Sequence, residues 1–524
     1  MAPRSFLSLP YELRHQIYQE YFTLPGGYAF QPGPGKLAAL DGQPLDLALM
    51  YTCRFIAFET KDIPLALNNI TFSTVYHPEW SAWAGRFDHL LYCQGKKRYF
   101  ILLCLLPYIT PKMYSRIESR FPWFILMLRK TELEIRLHGL PETNPLGNYN
   151  GWSLRDCICN HSFWDPRGRS DSSVWSATDF TLRLLAQSHN REITPRAKQA
   201  TESFRNFSGL TDLLGKAFRP WDIPKWDELA IAGHEFRDGL VWEFLRDEDH
   251  NERYVEPKHK FRFSATSVAI RFLQDLPVDK RLCIRNLVLL EDSIAVGQQE
   301  CHSLGLIPFC RENLRLKIDL RVSMVKNIFQ GAAILSDGWI RFHPGEDREI
   351  FNAAIEYIPE RVADWLKGAV ALRDAGMPIG SFTLTLDSEG FAETCTDIFQ
   401  SYILWHVSMQ KAMNKCFPLP QGTGRRRDPG DIVDPHSIQS FDHLVGQTSI
   451  VRSNFHPGKM WDVERLIEER VGYDPEQWYS SYLRPPEFRV PEIVHLFSLG
   501  RLMAESCGIE EFHRRRNIIR RRRS

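Results

Sequence analysis

No run of apolar residues in this 524-residue chain is long enough to span a bilayer as a helix. The longest, "YFILLCLLPYI" over Tyr99 to Ile109, has eleven residues between basic flanks, whereas a spanning helix needs roughly 18 to 20. The residues behind Met1 also lack the charged-then-apolar order of a signal peptide. Net charge is nearly absent: 65 Lys and Arg stand against 64 Asp and Glu, for a total of +1. That balance excludes a surface built throughout to hold polyanions, and nucleic acid is not an expected partner. The eleven Cys are scattered and odd in number, which excludes a disulfide framework and points to free thiols in a reducing compartment. Nucleus or cytoplasm, with no membrane partner, is the expected location.

The motifs of common chemistry are missing too. There is no Gly-x-Ser-x-Gly elbow, Walker loop, His-Glu-x-x-His or dinucleotide fingerprint. "GPGKLAALDG" has Gly33, Gly35 and Lys36 but lacks the preceding strand and the Ser or Thr of a phosphate loop. Two stretches concentrate metal-ligand types: Cys157, Cys159 and His161 in "CICNH", and Cys301, His302 and Cys310 in "CHSLGLIPFC". Neither contains a paired Cys-x-x-Cys knuckle, so reduced, unliganded thiols are expected rather than zinc. His234 and His250 stand near carboxylates in segments that read as solvated faces. No catalytic residue, metal or cofactor is predicted, and the chain is not expected to be an enzyme.

What is present is a soluble globular composition, 43% apolar and 25% charged, at a length that implies about two to four domains. Helical periodicity marks 80–109, a stretch around 116–129, "SATSVAIRFLQDL", "EYIPERVADWLKGAVALRDAG" and "TCTDIFQSYILWHVSMQKAMNKCF". Strand alternation marks "NNITFSTV", "TELEIRLHGL", "CIRNLVLLED", "NLRLKIDLRV" and "SFTLTLDS". The alternation of the two kinds predicts a mixed α/β or α+β fold. The expected organisation is an N-terminal helical region (1–75), a mixed body (76–417) with a long loop at 141–175, a linker (418–437), a helical segment (438–512) and an Arg-rich tail (513–524). The fourteen Trp are expected as buried anchors.

The opening stretch "SFLSLPYELRHQIYQEYF" holds the sharpest pattern. Pro10 suits a first helical turn, Glu12 favours the positive end of the dipole, and Leu9, Leu13, Ile17 and Tyr21 recur every four residues. Arg14, His15 and Gln19 turn away from that stripe. A Gly/Pro loop follows over 24–36. One helical face is then expected over Leu45, Leu49, Cys53, Ile56 and Ile63, ended or kinked by Pro64. A second Leu-Pro pair, Leu276 and Pro277, closes a helix instead of opening one, so only the first copy is a docking candidate.

The stretch "FLSLPYELRHQIYQEYF" resembles the first helix of F-box domains. With "ALMYTCRFIAFETKDIPLALNNITFSTV" it is similar to the F-box-like version common in large families of fungal proteins. Phe55 and Phe58 stand where an F-box usually has a Trp after its Cys-Arg pair. The resemblance implies that Leu9, Pro10, Leu13 and Ile17 face a Skp-type subunit of a cullin-RING ubiquitin ligase while the body holds a protein client. The alternative is an interaction or scaffold protein in which the stripe packs on its own body.

The tail carries Arg514, Arg515, Arg516, Arg520, Arg521, Arg522 and Arg523, and its seven positive charges leave the rest of the chain at −6 against the total of +1. It reads as a nuclear import signal or as a solvated end without a partner. Oligomeric state is not legible.

Overall fold

The computed structural model of the chain describes residues 6–76, 78–138, 172–188, 190–200, 209–215, 218–234, 261–335, 355–417, 435–448 and 450–482. Its frame is one seven-stranded sheet: β1 (Tyr28–Gln31), β2 (Lys36–Ala39), β3 (Asn69–Ser73), β4 (Asn286–Glu291), β5 (Lys317–Ser323), β6 (Phe382–Asp387) and β7 (Val451–Ser453), in the spatial order β2-β1-β3-β4-β5-β6-β7. β1 and β2 form an antiparallel hairpin, and every other neighbouring pair is parallel. With its many helices this is the mixed α+β fold that the two periodicities imply.

From β3 onward each strand lies beside its predecessor. Crossovers that advance in one direction with one hand stack on one face of the sheet. The side chains follow suit. Ile70 and Phe72 of β3, Leu287 and Leu289 of β4, Ile318, Leu320 and Val322 of β5, and Phe382, Leu384 and Leu386 of β6 are buried, while their alternate neighbours, except Ser323 at the end of β5, are half-buried or exposed. The packed face meets the helices Ala265–Asp275 and Ile358–Asp374 and the helical run Ala392–Cys416. Phe72 is the hub of one corner, its ring 5.3 Å from that of Phe30 and 5.4 Å from that of Phe272. Such ring pairs add about 0.5 to 1.5 kcal/mol each beyond burial.

Three smaller cores flank the sheet. Helices α1 (Tyr11–Phe22), α2 (Arg54–Thr60) and α3 (Ile63–Leu67) enclose Tyr18, Phe22, Ile56 and Ile63. Helices α4 (Pro78–Leu105), α5 (Pro111–Arg120) and α6 (Pro122–His138) join Ser172–Ala186 and Ile193–Ala200 around Leu102, Phe124 and Leu185. Trp405, Trp478 and Tyr482 close the third, and Trp365 is likewise fully buried, so these indoles are anchors.

Several expectations are corrected. "TELEIRLHGL" is not a strand, because residues 131–138 continue α6: Phe124, Leu128, Thr131 and Ile135 face inward at helical spacing, and Arg136 reaches back one turn to Glu132 at 2.6 Å. Its every-second-residue pattern of Leu133, Ile135 and Leu137 imitates a strand, yet Leu133 is exposed. The helix around 116–129 is two helices that meet at Pro122, which opens the second. The single helical face over 45–63 breaks into a 3₁₀ turn (Ala48–Tyr51), α2 and α3, with Cys53 fully extended between turn and helix. Pro64 lies in the first turn of α3 instead of ending a helix. Within the expected Gly/Pro loop, Pro32 to Gly35 form the turn of the β1–β2 hairpin. The helix Ser172–Ala186 begins inside the expected 141–175 loop, the rest of which lies outside the described residues. Most of the expected linker also lies outside them, and Pro435–Val445 begins in its last three positions. The C-terminal segment supplies β7, which places Val451 in the sheet core with Phe441 and Leu444.

Candidate protein-docking surface

Helix α1 begins at Tyr11 with Pro10 as its N-cap, φ −53° and ψ 149°, as the Leu-Pro pair predicts. Arg14, Tyr18 and Phe22, four residues apart, are the side chains it buries. Across from them, α2 presents Glu59, which accepts hydrogen bonds from Arg14 Nε (3.0 Å), Arg14 Nη2 (2.6 Å) and the Tyr18 hydroxyl (2.8 Å). Arg14 also donates to the carbonyl of Leu9, which fixes the chain entering the helix. The Arg14 guanidinium holds the Glu59 carboxyl below its ordinary value, and burial together with Glu59 raises the Tyr18 phenol to about 12. This fork joins α1 to α2 by charge and geometry, a connection that the apolar periodicity gives no hint of.

The predicted stripe points the other way. Leu13 is 46% exposed and Ile17 43%, Pro10 is exposed, and Leu9 is half-buried. The helix thus has two adjoining apolar faces, and among the described residues one of them is packed. Tyr21 continues the outer stripe by one turn, Tyr11 is exposed in the first turn, and Phe55 and Phe58 of α2 are exposed as well, Phe58 at 71%. Arg14 links the two sets, with its guanidinium carbon 5.2 Å from the Phe55 ring centre and 6.0 Å from that of Tyr11. Of nineteen large apolar side chains exposed among the described residues, ten fall within the first 76 positions. Singly exposed apolar residues are ordinary, but Leu13 and Ile17, one turn apart on α1, with Tyr11 and Phe55 drawn together at Arg14, make this region a candidate interaction surface. The rings of α2 are what the sequence reading missed. The departure from Trp at Phe55 and Phe58 was their signal.

A second cluster brings together residue types found in hydrolases and has another role. Ser264 caps the helix Ala265–Asp275 by accepting from Ser267 N at 2.9 Å. His302 Nε2–H donates to the carbonyl of Gly297 at 2.7 Å, which leaves Nδ1 as an acceptor within reach of the Ser264 (2.6 Å) and Ser267 (3.0 Å) hydroxyls, themselves 3.0 Å apart. Burial lowers the imidazole to about 4 and keeps it neutral. Glu291, at the end of β4, accepts from Thr266 N (3.0 Å), Thr266 Oγ1 (2.7 Å) and Ala265 N (3.3 Å) at the same helix start. Ser264, Glu291 and His302 are all buried, so no substrate reaches them as packed. The cluster pins the helix to the sheet.

Cys301 and Cys310 are buried free thiols, and burial pushes the Cys310 thiol up to about 12. No grouping of three or more His, Cys, Asp or Glu suited to a metal occurs among the described residues. Cys157, Cys159, His161 and the arginines 514–516 and 520–523 lie outside them. No helix among the described residues is long and apolar enough to cross a membrane. No protein-family model, curated protein or solved structure matches the chain.

Proposed function

We propose that the protein is an F-box-like adaptor: the outer face of α1, with the adjoining rings of α2, docks on a Skp-type subunit of a cullin-RING ubiquitin ligase, and the body holds a protein client. The observation that carries the reading is the outward face of Leu13 and Ile17 on a helix whose adjoining side, about 100° around, already packs home through Arg14, Tyr18 and Phe22. An amphipathic helix laid in an apolar groove is a common recognition mode, with anchors one turn apart. The Arg-rich tail supports nuclear import as the finer location.

The test is recovery from cell extract with the intact chain and with Leu13→Glu/Ile17→Glu, read by mass spectrometry for a Skp-type subunit and a cullin. Recovery with the intact chain and its loss in a folded variant is the expected result. A folded intact chain that recovers neither protein removes the ligase from the reading and leaves a scaffold that uses the same face for another protein. Unfolding of the variant would instead make Leu13 and Ile17 core residues.

A further inference from the structure

Parallel sheets are nearly always covered on both faces. Here, among the described residues, the side chains opposite the packed face remain half-buried or exposed along β4, β6 and β5 as far as Arg321, and only Ser323 at the end of β5 is buried. They line a groove of about 380 Å³ that runs across the strands from Asn69 to Arg452. The register fixes its chemistry. Arg321 of β5 lies beside Thr385 of β6, which lies beside Arg452 of β7. Lys317 is four residues before Arg321 on the same strand. Val288 and Leu290 of β4 lie next to Asp319 and Arg321.

The charges on this face do not cancel. Asp319 is saturated internally: one oxygen accepts from Arg321 Nε at 2.7 Å and the other from the Thr385 hydroxyl at 3.0 Å. Lys317 donates to the carbonyl of Gly380 at 2.9 Å, a contact that leaves its charge unneutralised. Arg452 is exposed and makes no ion pair among the described residues. Two net positive charges therefore stand over a polar floor, and Asp387, one row beyond Arg321, marks the limit of the basic zone. Lys317 and Arg321 are separated by roughly 13 Å along the strand, and Arg321 and Arg452 by about 10 Å across two strand spacings.

We infer that the open sheet face is a docking site for an extended acidic segment of a partner protein. An extended chain rises about 3.3 Å per residue, so carboxylates three or four positions apart match both separations. Small apolar residues between them would rest on Val288 and Leu290. Nucleic acid fits less well, because none of the side chains lining the groove is aromatic, so bases have nothing to stack on. The inference extends the adaptor reading by naming where a client sits and what it looks like. Its test needs no ligase subunit.

The experiment is fluorescence anisotropy on the full chain with three labelled probes: a ten-residue peptide with Glu at every third position separated by Val and Ala, its Gln counterpart, and a twelve-nucleotide single-stranded RNA. The Glu peptide is expected to bind and the Gln peptide to bind at least about tenfold more weakly. Lys317→Glu/Arg452→Glu, two exposed positions, is expected to lower binding of the Glu peptide by about tenfold with an unchanged melting curve, and Leu13→Glu/Ile17→Glu to leave it intact. Equal binding of both peptides, tighter binding of the RNA, indifference to Lys317→Glu/Arg452→Glu, or loss through Leu13→Glu/Ile17→Glu would each overturn the assignment. Loss of peptide binding with ligase recovery intact would separate this site from the N-terminal one.

Discussion

Glu291 offers the most quantitative test of how the frame is held. Its carboxyl is fully buried and faces five donors: Thr266 N, Thr266 Oγ1 and Ala265 N at the helix start, Gln299 Nε2 at 3.3 Å, and the Thr74 hydroxyl at 3.5 Å. Burial raises it from 4.5 to about 7, opposed by the hydrogen bonds from Thr266 and Ala265 and assisted by the neighbouring Asp292. The folded state therefore binds this proton more tightly than the unfolded chain, and between pH 4.5 and pH 7 stability falls as pH rises. The shift corresponds to about 3 kcal/mol. Glu291→Gln removes the titration but turns an amide N–H toward donors, at a cost of roughly 1 to 3 kcal/mol. Urea unfolding of both proteins at pH 5, 6, 7 and 8 cancels the other titrating groups in the difference. The intact chain is expected to lose about 2.5 kcal/mol relative to Glu291→Gln between pH 5 and pH 8, enough to close the difference in stability or to reverse its sign. Parallel curves over that range would mean that the five donors and the helix start keep Glu291 ionised throughout, and would refute the dominance of burial.

The two faces of α1 should separate stability from binding. Phe22→Ala empties the small core beside Tyr18 and is expected to cost about 3 to 5 kcal/mol in denaturant unfolding. Leu13→Glu/Ile17→Glu, on the outer face, is expected to stay within about 1 kcal/mol of the intact chain by the same measurement. Deletion of Arg514 to Ser524 is expected to shift a fluorescently tagged chain from nucleus to cytoplasm, and an unchanged image would leave the tail without an import role.

The parallel strands were legible where composition and position agree. In β4 and β6 the alternation Leu287, Leu289 and Leu384, Leu386 reports a sheet with one packed face, and the structure has that face. The same alternation misled in α6, because period two and period 3.6 share many positions over eight residues, and only Phe124 and Leu128 upstream separate them. β1 and β2 were hidden by their turn, since four residues of Pro and Gly outweighed the four-residue strands on either side. β7 is three residues long, too short to carry a period of its own, and is defined by its pairing with β6. At the candidate surface the stripe of Leu13 and Ile17 was readable, but its partner face was not. Arg14 and Glu59 are 45 residues apart, and nothing in either segment announces a buried ion pair.

That pair also explains why the outer stripe stays outside. A helix with apolar residues on two sides could settle with either inward. Tyr18 and Phe22 bring larger rings to the interface than Leu13 and Ile17, and only the register that buries them places Arg14 against both oxygens of Glu59 and the Tyr18 hydroxyl against one of them. Rotating α1 to bury Leu13 and Ile17 would give up three charge-assisted hydrogen bonds and leave Glu59 half-buried without its cation, which desolvation opposes. The hairpin completes the constraint. Asn68, which leads into β3, donates to the carbonyl of Phe22 at 2.7 Å and accepts from Leu24 N at 2.8 Å, and so clamps the end of α1 against the strand beside which β1 lies. The orientation of the outer face is thereby tied to the sheet that carries the basic groove, and the two proposed docking surfaces are held by one frame.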